Sequence, residues 1–430
     1  MTLQQEQEVE DFGDVAPPKT WVGLVLGLWL SGVFAASLRG RMEAGHEGTT
    51  SIALLGVAVL WPLLYFAMGR CRFVPQSMPL AATAGLILFG MASALSSFMS
   101  PVALLSTGYL VLTLAGICIA LQFNSNLDAD QYERGLKIFA ALTAALLAGF
   151  AWYDYVPGTR LGNGKDILNP NTIGLVSVSV FLAAMSIRTL ALRLAIMGPI
   201  AGIIVLTSSR AAAVAAVVGL GMIVWLRLRA RRRPVLLIAG ICLILAVGMT
   251  IAYGDVMYQM LDRSFGLSAA DRGINSGATG RVTAWKETWE IFTRNPVLGV
   301  GFRAHEFLLK ADSSSHNGYL ATLAEVGMLG FLGVLFLIIR GLRLLWVGSR
   351  EPEAGFSQSI LFGLCVGYLL LAIFERYLIN VGNPTSLLFL VAIMRLKAME
   401  GHVAKLDELL PDPLDELAVS GPEERIYGHG

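Results

Sequence analysis

Charged residues are scarce in this chain. Only 15% of its 430 residues are Asp, Glu, Lys or Arg, whereas 55% are hydrophobic. Water-soluble domains carry about 25% charged residues, so this composition excludes an ordinary soluble globular protein. The formal net charge is +1 and no basic arm is present, which argues against a nucleic-acid-binding surface. The composition therefore predicts an integral membrane protein with no nucleic-acid partner.

Signatures of metals and cofactors are also lacking. The four cysteines, Cys71, Cys118, Cys242 and Cys365, are scattered at spacings that match neither a disulfide framework nor a metal site. The sequence has no Walker-type phosphate loop and no nucleotide-binding fingerprint. We therefore predict no cofactor. An enzyme of this kind needs a substrate that arrives already activated, such as a polyprenyl-diphosphate sugar.

Long apolar runs dominate what is present. A membrane-spanning helix needs roughly 20 mostly apolar residues, and about twelve segments approach that criterion. The predicted fold is thus an all-α integral membrane protein with about twelve transmembrane helices. The segments are 21–38, 51–69, 79–98, 101–122, 136–153, 172–187, 190–207, 211–226, 235–254, 319–339, 359–375 and 384–396.

Basic residues in the short loops predict the orientation, because cytoplasmic loops are enriched in Lys and Arg. The stretch 227–233 contains five arginines, and no short loop on the other side rivals it. Both termini are therefore predicted to be cytoplasmic. The predicted domains are a bundle of nine spans in 1–254, an outside helical cap in 255–318, three more spans in 319–397 and an acidic cytoplasmic tail in 398–430.

The predicted cap contains one clear amphipathic pattern. From Arg281 to Arg294, apolar and aromatic residues that include Trp285 and Trp289 recur at helical spacing. Tryptophans on such a face suit the membrane–water interface. The pattern predicts an interfacial helix, and a second short helix is expected around 303–310.

Cations gather on the predicted outside face, where loops are normally poor in arginine. Arg210 is the most telling, because it separates two apolar runs, and a charge at that depth is unfavourable unless it faces a cavity or an anion. Individually, Arg281 has the alternative of capping a helix or binding lipid headgroups, and Arg376 that of pairing with Glu375. As a group they indicate a lipid-linked phosphate or pyrophosphate, which guanidinium groups match well. The set is Arg160, Lys165, Arg210, Arg281, Arg303 and Arg376.

His316 is the candidate for proton transfer. It stands just before an apolar segment on the side of the arginines, and imidazole suits acid–base work near neutral pH. The alternative is a helix-start histidine that bonds nearby backbone. His305, on the expected short helix, is a weaker candidate. Glu325, further along, either neutralises an arginine of the cluster or holds helices together.

Several short motifs, in this order and spacing, resemble the O-antigen ligase superfamily. The resemblance covers roughly 205–330, with a weaker echo in Asn169-Pro170-Asn171-Thr172. The motifs are Thr207-Ser208-Ser209-Arg210, Thr279-Gly280-Arg281 with Trp285, Asn295-Pro296-Val297-Leu298-Gly299-Val300-Gly301, His316-Asn317-Gly318-Tyr319-Leu320 and Glu325-Val326-Gly327.

This resemblance implies a metal-independent, inverting glycosyltransferase with a GT-C-like fold in a bacterial inner membrane. Its functional residues fall on Arg210, Arg281 and His316. The expected reaction transfers a glycan from undecaprenyl diphosphate to lipid A–core oligosaccharide at the periplasmic face, with membrane lipids as surroundings. The first two arginines would bind the diphosphate, helped by Arg160 and Arg303. Possible supporting residues are Glu325, Asn317, Tyr319 and Arg376.

Two alternatives remain open at this point. A polymerase would use the same donor but take a second lipid-linked glycan as acceptor. A transporter is the non-enzymatic alternative, although transporters tend to place polar sites near the bilayer midplane. The polar residues here mostly belong to one membrane face, which disfavours transport.

Overall fold

The structure, a computed structural model, describes eight stretches of the chain and three isolated residues, Asp255, Gln259 and Asp262. Within them every regular element is helical and no strand occurs. The stretches are 21–44, 49–68, 80–165, 167–228, 279–310, 314–350, 355–376 and 378–394.

Helices occupy eleven of the twelve predicted apolar segments, and the remaining one, 235–254, lies outside the described residues. A further helix, α9, corresponds to the predicted interfacial helix. The helices are α1 Val22–Ala44, α2 Thr49–Met68, α3 Leu80–Phe98, α4 Ala103–Asn126, α5 Ala129–Asp154, α6 Pro170–Ala183, α7 Leu190–Leu206, α8 Arg210–Arg227, α9 Thr279–Arg294, α10 Gly318–Gly348, α11 Gly355–Leu371 and α12 Pro384–Ile393.

The boundaries of the helices follow local capping chemistry more than hydropathy. Helix α5 begins at Ala129 rather than at residue 136, because the side chain of Asp128 accepts a hydrogen bond from Gln131 N at 2.8 Å. Helices α6 and α12 begin with a proline that follows a capping asparagine, Asn169 and Asn383 respectively. Polar and charged residues therefore extend several helices beyond their apolar runs.

The chain is a multi-pass membrane protein. Among the described helices, α4, α5, α8 and α10 are long and apolar enough to cross a bilayer, and seven more are apolar but shorter. Large apolar side chains point outward from the bundle, such as Phe98 at 86% exposure and Leu104 at 90%. In a membrane such side chains face lipid. The count of twelve spans and the periplasmic cap stay predictions.

The helices form one bundle with two distinguishable ends. Helix α1 packs along α5, α3 along α10, and α8 along α11. At one end, which we call the motif end, α5, α7 and α11 finish and α6, α8 and α10 begin. The first and last described residues, Trp21 and Met394, lie at the other end, since Gly23 packs on Gln131 and Asn124 Nδ2 donates to the carbonyl of Val391 at 2.8 Å. Assigning that end to the cytoplasm stays a prediction.

Main-chain hydrogen bonds between two separate segments shape the motif end. Helix α10 is interrupted at Gly327, where φ is +64° and ψ −172°. The segment 296–301 pairs with this interruption through main-chain bonds, among them Val300 N to Ala324 O at 2.9 Å and Met328 N to Pro296 O at 2.8 Å. The Asn-Pro-Val-Leu-Gly-Val-Gly motif and the Glu-Val-Gly motif therefore pair with each other through their main chains.

Replacing Gly327 with alanine is expected to disrupt this main-chain pairing. A Cβ there would lie 2.2 Å from the carbonyl oxygen of Val297, and the backbone angles suit glycine alone. We expect the free energy of unfolding to fall by about 2–5 kcal/mol, measured as a lower midpoint of thermal unfolding in detergent.

Gly90 in α3 provides the control, because a Cβ added there meets nothing within 4 Å. Gly90→Ala is expected to leave the midpoint unchanged or to raise it slightly, since alanine favours helix by roughly 0.5–1 kcal/mol. Equal losses in the two variants would contradict the role assigned to Gly327.

Candidate active site

His316 lies on a strained turn at the motif end. Its φ is +46°, a left-handed value that L-residues avoid. On one side, Ser315 is fully buried. On the other, the Asn317 side chain caps α10 by accepting hydrogen bonds from the Tyr319 and Leu320 amides, both at 3.0 Å. Contacts made by both of its neighbours therefore fix the backbone of His316.

Two predicted supporting residues make structural contacts here. Asn317 is the N-cap of α10, and the Tyr319 hydroxyl donates to the carbonyl of Leu369 at 3.0 Å, which ties α10 to α11. The part of the His-Asn-Gly-Tyr motif that follows the histidine is thus explained by the folding of this helix start.

The surroundings of His316 favour the neutral imidazole. Burial lowers its pKa below the usual 6.5, and the nearby guanidinium groups of Arg281 and Arg376 lower it further, while Glu306 opposes them. A half-buried neutral imidazole near pH 7 can accept a proton. The alternative role, bonding nearby backbone, is not what the described contacts show, because only its main-chain amide is bonded, to the Ser314 hydroxyl at 3.4 Å.

A titration of His316 by NMR on histidine-labelled protein is expected to give a pKa below 6.5, for the reasons just given. Arg376→Gln removes a positive neighbour, so the pKa should rise. Glu306→Gln removes the negative neighbour, so the pKa should fall. A spectrum of His316→Asn assigns the signal among the five histidines of the chain, and shifts of the opposite sign would refute this electrostatic account.

Arg281 reaches the site from the first turn of α9. This helix packs on α10 and buries Ala284, Thr288 and Phe292, one helical turn apart. Trp289, expected on the same face, is 50% exposed. Arg281 is half-buried and lies close enough to both His316 and Glu375 to affect their ionisation. The predicted amphipathic helix is confirmed, and its first turn carries this guanidinium.

Arg376 and Arg303 share one carboxylate. Arg376 Nη1 donates to Glu306, and Arg303 Nη2 lies 4.0 Å from the second oxygen of the same side chain. Burial opposes ionisation of Glu306, yet the two arginines hold its pKa below the ordinary value. Arg376 therefore bonds Glu306 and also acts electrostatically on its neighbour Glu375. Arg303 also lies over the Tyr109 ring, 5.1 Å from its centre, and has a left-handed φ of +63°.

Arg160 links this group to the Thr-Ser-Ser-Arg motif. Its Nε donates to the carbonyl of Thr207 at 2.9 Å, and its Nη2 donates to Asn171 Oδ1 at 3.4 Å. The Asn171 side chain also forms a hydrogen bond with Glu375. The positive charges of Arg281 and Arg376 act on the same carboxyl group. Arg160, Asn171 and Glu375 thus connect the loop before α6 with the end of α11.

Arg210 begins α8, three residues after Thr207. Ser208 in the intervening turn has a φ of +50°, and the Ser209 hydroxyl accepts a hydrogen bond from Ala212 N at 3.4 Å. Gly174 of α6 packs against Ser209 so closely that a Cβ would lie 3.2 Å from it. This turn is therefore docked beside the Asn171 region. The remaining cation, Lys165, has its Nζ 3.3 Å from the centre of the Tyr153 ring.

The motif end thus gathers positive charge around an imidazole. Four of the arginines, Arg160, Arg281, Arg303 and Arg376, belong to one network of contacts with Glu306 and Glu375. Arg210 lies on the turn that Arg160 contacts. Planar guanidinium groups that outnumber carboxylates suit an anion with several phosphate oxygens. All three left-handed non-glycine residues among the described ones, Ser208, Arg303 and His316, fall in this region, and such strain clusters at functional sites.

Sequence reasoning missed several partners. The contacts of Glu306 with Arg376 and of Asn171 with Glu375 give no short-range signal, because each joins residues at least 70 positions apart. His305 was expected on an amphipathic helix but lies in a single 3-10 turn, His305–Phe307, where it is 1% exposed. Its Nδ1 is 2.6 Å from Glu325 Oε1. Glu325 therefore pairs with a histidine rather than with an arginine.

Comparison with known proteins shows where this arrangement belongs. Residues 190–335 match a family model described as O-Antigen ligase. Over this segment the chain is similar to the O-antigen ligase superfamily. A stretch of 292 residues is also 28% identical to the exopolysaccharide production protein ExoQ of Rhizobium meliloti (strain 1021), covering 60% of this chain and 63% of that protein. The match thus spans less than two thirds of that relative.

The O-antigen ligase segment supplies only part of the cluster. Arg210, Arg281, Arg303 and His316 lie within residues 190–335, whereas Arg160 and Arg376 lie outside it. The loop before α6 and the loop after α11 therefore complete the arginine network. The family match and the arginine network therefore overlap at the motif end.

Proposed function

We propose that this protein transfers a glycan from undecaprenyl diphosphate to an acceptor hydroxyl. The observation that carries this proposal is the arginine network around a neutral imidazole at one end of a membrane bundle. The similarity of residues 190–335 to the O-antigen ligase family supports the same class of chemistry, namely polysaccharide biosynthesis with lipid-linked substrates.

Arg210 and Arg281 are proposed to bind the diphosphate, with Arg160 and Arg303 as helpers. As the bond between the sugar C1 and the diphosphate oxygen breaks, negative charge accumulates on the leaving group. Guanidinium groups fixed beforehand by Thr207, Asn171 and Glu306 stabilise that charge without reorganising. In this scheme the arginines perform the task that a divalent metal performs in many glycosyltransferases, and Arg376 holds Glu306 in place.

His316 is proposed as the general base. It accepts the proton of the acceptor hydroxyl while the acceptor oxygen forms its bond to C1, and the diphosphate leaves from the opposite face. The anomeric centre is therefore inverted. The lowered pKa keeps the imidazole neutral before the reaction, and general base catalysis typically contributes 10²–10⁴-fold.

The proposed setting is a bacterial inner membrane, with both termini in the cytoplasm and the motif end facing the periplasm. The five arginines in 227–233 support this orientation. Residues 255–318 would form the periplasmic cap between the ninth and tenth spans. Helix α9 would border a lateral opening, because both substrates have lipid tails and enter from the bilayer.

The first candidate acceptor is lipid A–core oligosaccharide, which makes the protein an O-antigen ligase. We expect purified protein to join lipid-linked glycan to lipid A–core, and a chelator to leave the rate unchanged, since no step needs a divalent ion. Transfer that a chelator abolishes and a divalent ion restores would overturn the metal-independent mechanism. Glycan uptake into proteoliposomes without a covalent product would instead indicate a transporter.

A polymerase is the second candidate, and the relative favours it, because ExoQ is described as an exopolysaccharide production protein. The donor chemistry stays the same, but the acceptor is a second lipid-linked glycan. Incubation with lipid-linked glycan alone separates the two: a ligase leaves it unchanged, whereas a polymerase yields a ladder of longer chains.

A further inference from the structure

A buried polar triplet lies directly behind His316. His305 is 1% exposed, its Nδ1 is 2.6 Å from Glu325 Oε1, and its Nε2 is 3.2 Å from the Ser315 hydroxyl. Since a carboxylate only accepts, Nδ1 is the donor to Glu325. The Ser315 hydroxyl, which has a single proton to donate, also lies 3.3 Å from the carbonyl oxygen of Asn317. His316 is the residue enclosed between Ser315 and Asn317.

The triplet joins three separate elements of the site. His305 belongs to the 3-10 turn that also carries Glu306, Glu325 belongs to α10 just before its interruption, and Ser315 belongs to the loop of His316. The backbone around Glu325 is fixed as well, because its carbonyl accepts from Gly301 N at 3.0 Å and from the Ser96 hydroxyl. The imidazole of His305 therefore anchors the His316 loop to a part of α10 whose backbone is hydrogen-bonded to two other segments.

Stability alone does not account for this triplet. A buried polar pair is often no more stabilising than apolar residues of the same volume, whereas its hydrogen bonds impose one geometry. The geometry imposed here is unfavourable on its own, since His316 has a left-handed φ of +46°. A conformation of that kind persists only where surrounding contacts enforce it.

We propose that His305 and Glu325 are positioning residues, which act through Ser315 to hold the His316 imidazole towards the arginine network. This inference rests on the proposed transfer reaction. A displacement of about 1 Å at a reacting group can lower a rate by about 10²-fold. Loss of the anchor should therefore reduce kcat by about 10–100-fold, with the KM for the lipid-linked donor unchanged, because the arginines that bind the donor keep their contacts.

Paired variants test this role. His305→Leu removes both hydrogen bonds, whereas His305→Gln keeps an amide that can reach Ser315, so the glutamine variant should recover part of the lost kcat. Ser315→Ala should resemble His305→Leu. Glu133→Gln is the matched control, because the Glu133 side chain is 8% exposed, as is that of Glu325, and pairs with Arg188 at the far end of α5. Glu325→Gln should lower kcat, and Glu133→Gln should not.

A double-mutant cycle separates positioning from a general structural effect. In a His316→Ala background, His305→Leu is expected to cause no further loss of transfer, because no imidazole remains to be positioned. A further loss of the same size as in the wild type would overturn the inference, and so would full activity of His305→Leu alone. Wild-type protein that transfers glycan to no acceptor would instead refute the proposed function.

Discussion

Arg281→Ala is expected to lower kcat/KM for glycan transfer by about 10³-fold, which corresponds to about 4 kcal/mol of transition-state stabilisation. Arg281 lies beside both His316 and Glu375, so its guanidinium is held where the leaving diphosphate is proposed to bind. Removing it also leaves the charge that develops on the diphosphate without one fixed donor. The measurement is initial-rate kinetics with purified protein and lipid-linked donor.

Helix α9 offers a control at its own far end. Arg294 is 77% exposed and lies 3.6 Å from Glu290 on the helix surface, so Arg294→Ala should leave the kinetics unchanged. Arg281→Lys keeps the positive charge but lacks the planar guanidinium group that binds two oxygens at once. Its transfer rate should therefore lie between the rates of Arg281→Ala and the wild type. Similar kinetics for Arg281→Ala and Arg294→Ala would mean that the diphosphate binds elsewhere.

The helical architecture follows from hydropathy because membrane-spanning helices need long apolar runs. Segments 101–122 and 319–339 predicted α4 and α10 on this basis. Hydropathy did not reveal the interruption of α10, because Glu325-Val326-Gly327 sits inside a continuous apolar pattern. Its signal was glycine: Gly299, Gly301 and Gly327 all have positive φ. A glycine in each of two separated motifs is what such close backbone pairing requires.

The site was predictable in its residue types but not in its pairings. Arg281 and His316 could be chosen because outside loops are normally poor in arginine and because imidazole suits proton transfer near neutral pH. The pairing of Glu325 with His305 could not, because it depends on where the 3-10 turn packs against α10. Arg376 shows the same limit, since the nearest acid in sequence, Glu375, bonds Asn171, while Arg376 itself bonds Glu306. Tertiary packing selects among several carboxylates that sequence proximity cannot rank.

Substitution of His316 is expected to separate stability from activity. His316→Gly relieves the left-handed strain at φ +46°, so the folded protein should be as stable as wild type or more stable by about 1 kcal/mol. The same variant has no base, and kcat should fall by about 10²–10⁴-fold while the KM for the donor changes little. His316→Asn, a residue that tolerates positive φ, should show the same loss of kcat without the gain in stability.

Two measurements on the same preparations decide whether the strain serves the reaction. Thermal unfolding reports on the turn, and initial rates report on the imidazole. A glycine variant that is stable and inactive supports the view that the unfavourable backbone of His316 is maintained because it directs a base into the arginine network. A glycine variant that is stable and fully active would show that the imidazole takes no part in proton transfer, and the hydroxyl would then need another base. A glycine variant that unfolds would show that the imidazole itself secures the start of α10, which is the structural alternative for this histidine.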